Sequence, residues 1–374
     1  VIMEAMAMGR PVISTAIAGI PELVKDGENG WLVPAGDVEA LTKAMREALE
    51  TPVERLTEMG RAGRAAVCER HDVRKEVAKL AKRWNAANGS PVFTINGEYT
   101  TRGWTEWTQG FQYGCQILQF DGTEDASFWE MVRASTVQHM PPHITHTGVH
   151  DHGFNQVSTY GNLRRLAREG RTLETGDAMR LYALALRASG AVQATRWTKT
   201  ADGGGYIYSF NGAHSLFSDT LRSVRALVLA HQLGHVLMGE GDEKISLLGR
   251  ALQHIETTLR YNVYHGKGRD LYDVPGRVVH ASLFNPANGV YRCPSTQQGY
   301  SPFTTWTRGL AWILLGCAEE LEAIVSMPEK VFQPFGGKDK WVTMLQHAAS
   351  ATADFFIDNT AKDGIPYWDT GAPG

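Results

Sequence analysis

The stretch PHITHTGVHDHGF (142–154) places His143, His146, His150 and His152 in one short run, with Asp151 between the last two. Histidines at such spacings can hold zinc, and His146 and His150 would share a helix face at i, i+4. The metal-assisted pattern also asks for a glutamate directly after the first histidine, and Thr147, Gly148 and Val149 fill that gap instead. No metal site is therefore expected here. Two readings remain: an acid–base centre built on Asp151, or a loop that is merely rich in histidine.

The rest of the chain narrows the choice. With 374 residues, two or three domains are expected. A composition of 43% hydrophobic and 21% charged residues suits a globular protein with a sizeable core. Lys and Arg number 37 against 40 Asp and Glu, with no long basic run, so neither nucleic acid nor an anionic membrane is an expected partner. No apolar stretch approaches the roughly 20 residues needed to span a bilayer. Cys68, Cys115, Cys293 and Cys317 are far apart and form no CxxC pair, so they read as reduced, buried hydrophobes rather than a disulfide framework. A cytoplasmic location is the expectation.

Two unlike pieces meet near residue 88, dividing the chain into 1–87 and 88–374. In the first, MEAMAM is helix-like, PVIST (11–15) strand-like, GIPELV a helical turn, and NGWLVPAGD a short strand ending at Asp37. Asp37 can N-cap the helix VEALTKAMREALE, and amphipathic stretches follow at 53–67 and 72–86. Strands alternating with helices predict a parallel α/β arrangement. After the breakers ANGSP (87–91) long helical patterns take over, in pairs: 107–120 with 127–136, 151–167 with 176–189, 218–234 with 243–262, and 306–324 with 340–360. The first member of each pair is the more apolar and Gly-rich, which suggests an inner and an outer ring.

From about residue 95 onward, six ordered motifs resemble the unsaturated glucuronyl hydrolases, glycoside hydrolase family 88. They are WTEWTQGF, GVHDHGF, SDTLRSVRALVLA, QHIETTLR, QGYSPFTTWTRGLAW and IPYWDTGAP. The resemblance implies a mainly α, (α/α)6 toroid of helical hairpins; four hairpins are counted where the family has six, so an incomplete ring is expected. It assigns catalysis to Asp219 and Asp151, and substrate binding to Trp107, His150, His254, Gln298, Arg308 and Trp312. Two departures bear on substrate preference: Ser223 stands where the family usually has Asn, and Phe210–Asn211 where it commonly has Trp–Asn. The opening piece, VIMEAMAMGRPVISTAIAGIPELVKDGENGWLVPAGD, resembles the C-terminal half of the second Rossmann-like domain of retaining family 4 glycosyltransferases. Glu4 matches the second glutamate of that family's nucleotide-sugar motif. With the first glutamate lying before Val1, a remnant without transferase activity is expected.

The implied substrate is an oligosaccharide whose nonreducing end is a uronate with a C4=C5 double bond. Hydrating that enol ether gives a hemiketal that opens and releases the next sugar, so the carboxylate-separation rule for ordinary glycosidases does not transfer. The chemistry needs a protonated acid near C4 and a positioned water at C5. Asp219 is the expected acid/base, although an aspartate after Ser218 at a helix start is ordinarily a cap; Asp151 is its partner carboxylate. Arg308 suits the substrate carboxylate because a guanidinium fork matches that plane, and Trp107 and Trp312 suit sugar faces. His143 and His146 read as loop residues, and His152 has no assigned role. No cofactor is implied. The competing readings are an unsaturated rhamnogalacturonyl hydrolase and a nucleotide-sugar glycosyltransferase with a helical scaffold; HDHGF and TRGLAW lean toward the glucuronyl enzyme.

Overall fold

The computed structural model describes residues 2–17, 20–72, 75, 84, 88–95, 98–101, 107–360 and 366–372. The chain divides into two compact units, Val1–Trp84 and Asn85–Gly374.

In the first unit the strand and helix signals become α1 (Ile2–Ala7), β1 (Val12–Thr15), the single turn α2 (Ile20–Leu23), β2 (Gly30–Val33), α3 (Val38–Glu50) and α4 (Val53–Arg70). β1 and β2 run parallel, from Val12 opposite Gly30 to Thr15 opposite Val33. Parallel strands cannot be joined by a tight turn, so the connection carrying α2 separates them. Side chains alternate across this small sheet. Val12 and Leu32 pack with Met6, Val24 and Val67, whereas Ile13, Trp31 and Val33 pack with Ala44 and Met59. Helices therefore cover both faces. Asp37 caps α3 as expected, its carboxylate accepting the Ala40 N–H at 2.8 Å. Glu4 lies on α1, but its side chain is outside the described residues, as is most of the predicted stretch 72–86.

The second unit is mainly helical. After a hairpin of β3 (Phe93–Ile95) and β4 (Glu98–Thr100), the predicted pairs appear in order. α5 (Trp107–Thr123) pairs with α6 (Ala126–His139), which is followed by the single turn α7 (Pro141–Ile144). A π-helix (Gly153–Gly161) runs into α8 (Asn162–Arg168) and pairs with α9 (Gly176–Thr195). α10 (Thr220–Ser223) and α11 (Arg225–Gln232) pair with α12 (Leu247–Tyr261), and α13 (Thr307–Ser326) with α14 (Lys338–Asn359). Local signals start several of these helices: Asp125 accepts the Ser127 N–H, Thr175 the Ala178 N–H, and Ser246 the Gly249 N–H.

The first members of the pairs pack on one another in chain order, α5 on the π-helix, the π-helix on α10 and α11, and α10 on α13. Their glycines let backbones approach closely: a Cβ added at Gly110 of α5 would sit 2.4 Å from the Cα of Asn155. Two departures from the predicted helices stand out. The second first-member begins as a π-helix, and the third is broken at Val224 between α10 and α11. Small strands also enter that the helical periodicity does not announce. β5 (Trp197–Lys199) pairs with β6 (Gly205–Ile207) and β8 (Leu237–Met238) with β9 (Lys244–Ile245), while β7 (Ser215–Phe217), β10 (Ala281–Phe284) and β11 (Tyr291–Ser295) form an antiparallel sheet in the order β11-β10-β7.

All four cysteines are free thiols, but only Cys317 is buried; the expectation of burial fails for Cys68, Cys115 and Cys293, which are exposed. Among the described residues no helix is long and apolar enough to cross a membrane.

Glu320 on α13 is fully buried, and neither of its carboxyl oxygens has a hydrogen-bond partner among the described residues. Burial pushes its pKa up to about 8 from an ordinary 4.5, with Arg225 and Arg222 opposing and Glu319 adding to the rise. The folded state therefore favours the protonated acid, and the associated stability is full below about pH 4.5 and lost as pH rises through about 8. Glu320→Gln removes this titration. It should raise the melting temperature by several degrees at about pH 9 and change it little at about pH 5. Equal shifts at both values, measured by circular dichroism, would refute this account.

Candidate active site

Three buried residues from two distant segments of the second unit converge. His150 Nε2 lies 3.3 Å from Asp219 Oδ2 and 3.7 Å from Asp151 Oδ1. One nitrogen or oxygen from each of the three falls within 4.8 Å of the others, a spacing that a metal ion could also use. Asp219 occupies the N-cap position of α10 but makes no side-chain cap hydrogen bond, and its Oδ1 has no partner among the described residues. The carboxylate is turned toward the imidazole instead of the helix.

The electrostatics split the two carboxyls. Burial raises the pKa of Asp151; the charge of Asp219 adds to that and His150 opposes it. Burial also pushes Asp219 up, but the charge and hydrogen bond of His150 together bring it below the ordinary carboxylate range. Burial disfavours the imidazolium of His150, yet Asp151 and Asp219 outweigh it and raise the pKa. Two carboxyls this close titrate as a pair, and in the free site Asp151 is the better holder of their proton. That differs from the expected placement of the acid on Asp219. The cause is the hydrogen bond, which His150 makes to Asp219.

The turn carrying Asp151 is clamped to α10. Ser223 Oγ accepts the Gly153 N–H at 3.0 Å and donates to the His150 carbonyl. Gln193 of α9 donates to that same carbonyl at 2.8 Å and to Ser223 Oγ at 3.0 Å. The hydroxyl's hydrogen-bonding capacity is then full. Arg222 donates to the Gly153 carbonyl at 2.6 Å, lies over the rings of Phe111 and Phe154 at 5.5 and 5.4 Å, and has Glu319 of α13 3.3 Å from its Nε. Gly153 is required here, because a Cβ would meet the Ser223 carbonyl oxygen at 2.2 Å.

His280 is the residue that sequence reasoning missed. It directly precedes β10, and its carbonyl accepts the Ser218 N–H at 2.9 Å, so the β7–β10 pairing brings it beside Asp219. Its Nδ1 accepts the N–H groups of Gln297 and Gln298 at 3.1 and 3.3 Å, which leaves the ring proton on Nε2. That nitrogen is buried and has no partner among the described residues. Burial lowers the pKa to about 4 against the pull of Asp219, so the ring is a neutral donor at neutral pH. The one available signal was a histidine inside the apolar run VVHASLF (278–284).

Three further buried histidines, His143, His152 and His254, are held by hydrogen bonds within the fold. His254, expected at the substrate, is fully buried, with Nδ1 accepting the Ile207 N–H at 3.0 Å and Nε2 donating to Thr258 Oγ1 at 3.2 Å. It has no free nitrogen to offer, and burial lowers its pKa to about 3. His143 is not a loop residue. It sits buried on α7, donating to Gln109 Oε1 at 2.6 Å and accepting from Asn155 at 3.1 Å. His152 donates to the His146 carbonyl at 2.9 Å and accepts from Ser189 Oγ at 2.6 Å.

An aromatic group gathers around Phe154, and Arg308 lies within electrostatic reach of Asp219. Trp107 and Trp312 flank Phe154, with centroids 5.9 and 4.9 Å from it, and both indoles are part-exposed. Arg308 is exposed at the start of α13, where it donates to Gln298 Oε1 at 2.6 Å and lies 4.5 Å from the Trp306 ring. Burial lowers its pKa and the charge of Asp219 opposes that. The late motif around Asp369 fastens this region. Asp369 Oδ2 accepts the Tyr300 N–H at 2.9 Å, and Thr307 and Thr370 exchange backbone hydrogen bonds with Trp368 and Thr305.

Ser223→Ala tests the clamp. It leaves the buried Gly153 N–H without an acceptor, so a loss of about 1–3 kcal/mol is expected in denaturant titration. An unchanged midpoint would mean that the hydroxyl does not hold the turn.

Comparison with known proteins separates the two units. Residues 1–51 match the family described as glycosyl transferases group 1. A putative colanic acid biosynthesis glycosyltransferase of Salmonella typhimurium is 56% identical over 46 residues, 12% of this chain and 11% of that protein. The unsaturated glucuronyl hydrolase of Formosa agariphila is 24% identical over 271 residues, 72% of this chain. The chain spans 57% of the length of that relative. A crystal structure of an unsaturated glucuronyl hydrolase specific for heparin superposes with a TM-score of 0.61 at 19% identity, over 80% of this chain and 70% of that one. The helical unit therefore has the fold of the unsaturated glucuronyl hydrolases, behind an opening stretch that matches group 1 glycosyltransferases.

Proposed function

We propose that the helical unit hydrolyses unsaturated uronyl oligosaccharides, removing a nonreducing-end C4=C5 uronate by hydrating its enol ether. The observation that carries this reading is the convergence of Asp151 and Asp219 on one nitrogen of buried His150. Hydration adds one proton at C4 and takes one from the water that attacks C5, where positive charge develops. A carboxyl pair holding a single proton can do both and end as it began. In the free site Asp151 retains the proton more readily and Asp219 is the readier base.

Substrate changes that balance. A uronate carboxylate seated beside Asp219 is a like charge that raises its pKa, and the pair's proton then passes to Asp219, the acid/base of this proposal. Asp151 is left to orient the water. Arg308, already held by Gln298, has further N–H groups for the substrate carboxylate. The unspent Nε2–H of His280 is a donor for the reacting sugar, and the exposed faces of Trp107 and Trp312 suit stacking on sugar rings. The similarity of the unit to unsaturated glucuronyl hydrolases supports the same reading.

Asp219→Asn should cut turnover by about 100-fold or more, the usual scale for loss of an acid–base group. Turnover is followed as loss of the ultraviolet absorbance of the conjugated double bond, with an unsaturated chondroitin or heparin disaccharide as substrate. A variant as active as the parent would remove Asp219 from the mechanism.

The geometry of His150, Asp151 and Asp219 favours one further reading, a metal-assisted hydration, because their atoms lie within 4.8 Å of one another. Acid–base chemistry is preferred because the paired carboxyls of Asp151 and Asp219 already supply the proton donor and acceptor that hydration needs. Dialysis against a strong chelator should leave activity unchanged. Activity lost on chelation and restored by zinc would establish the metal reading instead.

A further inference from the structure

The helical unit holds a second polar cavity that shares no lining residue with the site above. Its volume is about 510 Å³, and its wall includes Arg164, Arg165 and Arg168 of α8, Arg225 of α11, and Ser326 at the end of α13. Arg165 is neutralised, with Asp121 at 2.7 Å and Glu169 at 2.9 Å. Glu169, the carboxylate on the described wall, is thereby already spent.

The other three guanidinium groups differ. Among the described residues Arg164, Arg168 and Arg225 have neither an ion pair nor a hydrogen-bond partner. The charge of Arg225 acts on Glu319 and Glu320, but neither carboxyl is within ion-pair distance of it. Glu319 faces Arg222 at 3.3 Å, and burial keeps Glu320 largely in its neutral form. Arg164 is also repelled by Arg168 and Arg187. Like charges around one space repel one another, and an anion in the cavity offsets that repulsion.

We propose that this cavity binds a tetrahedral oxyanion, phosphate or sulfate, either free or as the ester group of a sugar. A carboxylate offers one charge and two oxygens in a plane, which satisfies a single guanidinium fork. Three unpaired guanidinium groups arriving from two helices call for more acceptors and for a second negative charge. The volume exceeds that of a bare oxyanion and leaves space for an attached sugar ring.

The test titrates inorganic phosphate, inorganic sulfate and glucose 6-phosphate into the whole chain by calorimetry, at constant ionic strength against a chloride background. Saturable binding of at least one probe is expected, at one site per chain. Arg168→Gln and Arg225→Gln should each weaken it by about tenfold or more. Arg180→Gln, an exposed arginine paired with Asp177 on α9, should not. Tighter binding of glucose 6-phosphate than of phosphate would identify the sugar ester as occupant, and equal binding the free ion. Circular dichroism checks that each variant is folded. No heat beyond the chloride control, or binding that survives both substitutions, overturns the proposal.

Discussion

Keeping two carboxyl groups against one buried imidazole is the constraint on which the helical unit's candidate site depends. Two negative charges at that spacing in a poorly hydrated interior repel strongly unless a proton or a positive charge stands between them. Here both carboxylates bias His150 toward its positively charged form, and Asp151 retains a proton more readily than an isolated aspartate. Each group's ionisation depends on the other two, so they form a single electrostatic unit. A shift of any one by about an ångström would redistribute the proton.

The surrounding structure is arranged to prevent such a shift. α10 supplies Asp219 just before its first turn and, within that turn, the Arg222 and Ser223 that hold the backbone on either side of Asp151. Arg222 in turn faces Glu319, which links α10 to α13, the helix whose start carries Arg308. The helical irregularities fall at the same place. The π-helix begins two residues after Asp151, and the break at Val224 follows Ser223. π-helical turns are uncommon and occur often at functional sites, where they re-aim neighbouring side chains. The unit gives up regular helix where its geometry must be most specific.

Histidine is used in two different ways within one small region. His143, His152 and His254 have both ring nitrogens hydrogen-bonded to protein groups and pKa values lowered by burial to about 4, 4 and 3. They act as neutral structural connectors. His150 is biased toward its charged form by its neighbours, and His280 is neutral but keeps an unspent N–H. Composition cannot separate these uses, because all five are buried histidines.

By itself the sequence determined the helix pairs and the parallel strands of the first unit. The helix pairs from 107 to 360 were legible because a 3.6-residue apolar period and caps such as Asp125, Thr175 and Ser246 are properties of short segments. The parallel β1–β2 pair was legible for the same reason, as alternating short signals, and the ordered motifs singled out Asp151, Asp219, Arg308 and Gln298. Tertiary structure alone decided what those residues face. His280 meets Asp219 only through the pairing of β10 with β7, and strands this short carry almost no periodic signal. His254 is taken up by Ile207 and Thr258, of which Ile207 is remote in the chain. The division of the proton between Asp151 and Asp219 follows from burial and from which carboxylate receives the His150 hydrogen bond. Those quantities depend on distances between residues far apart in sequence, so no local pattern could encode them.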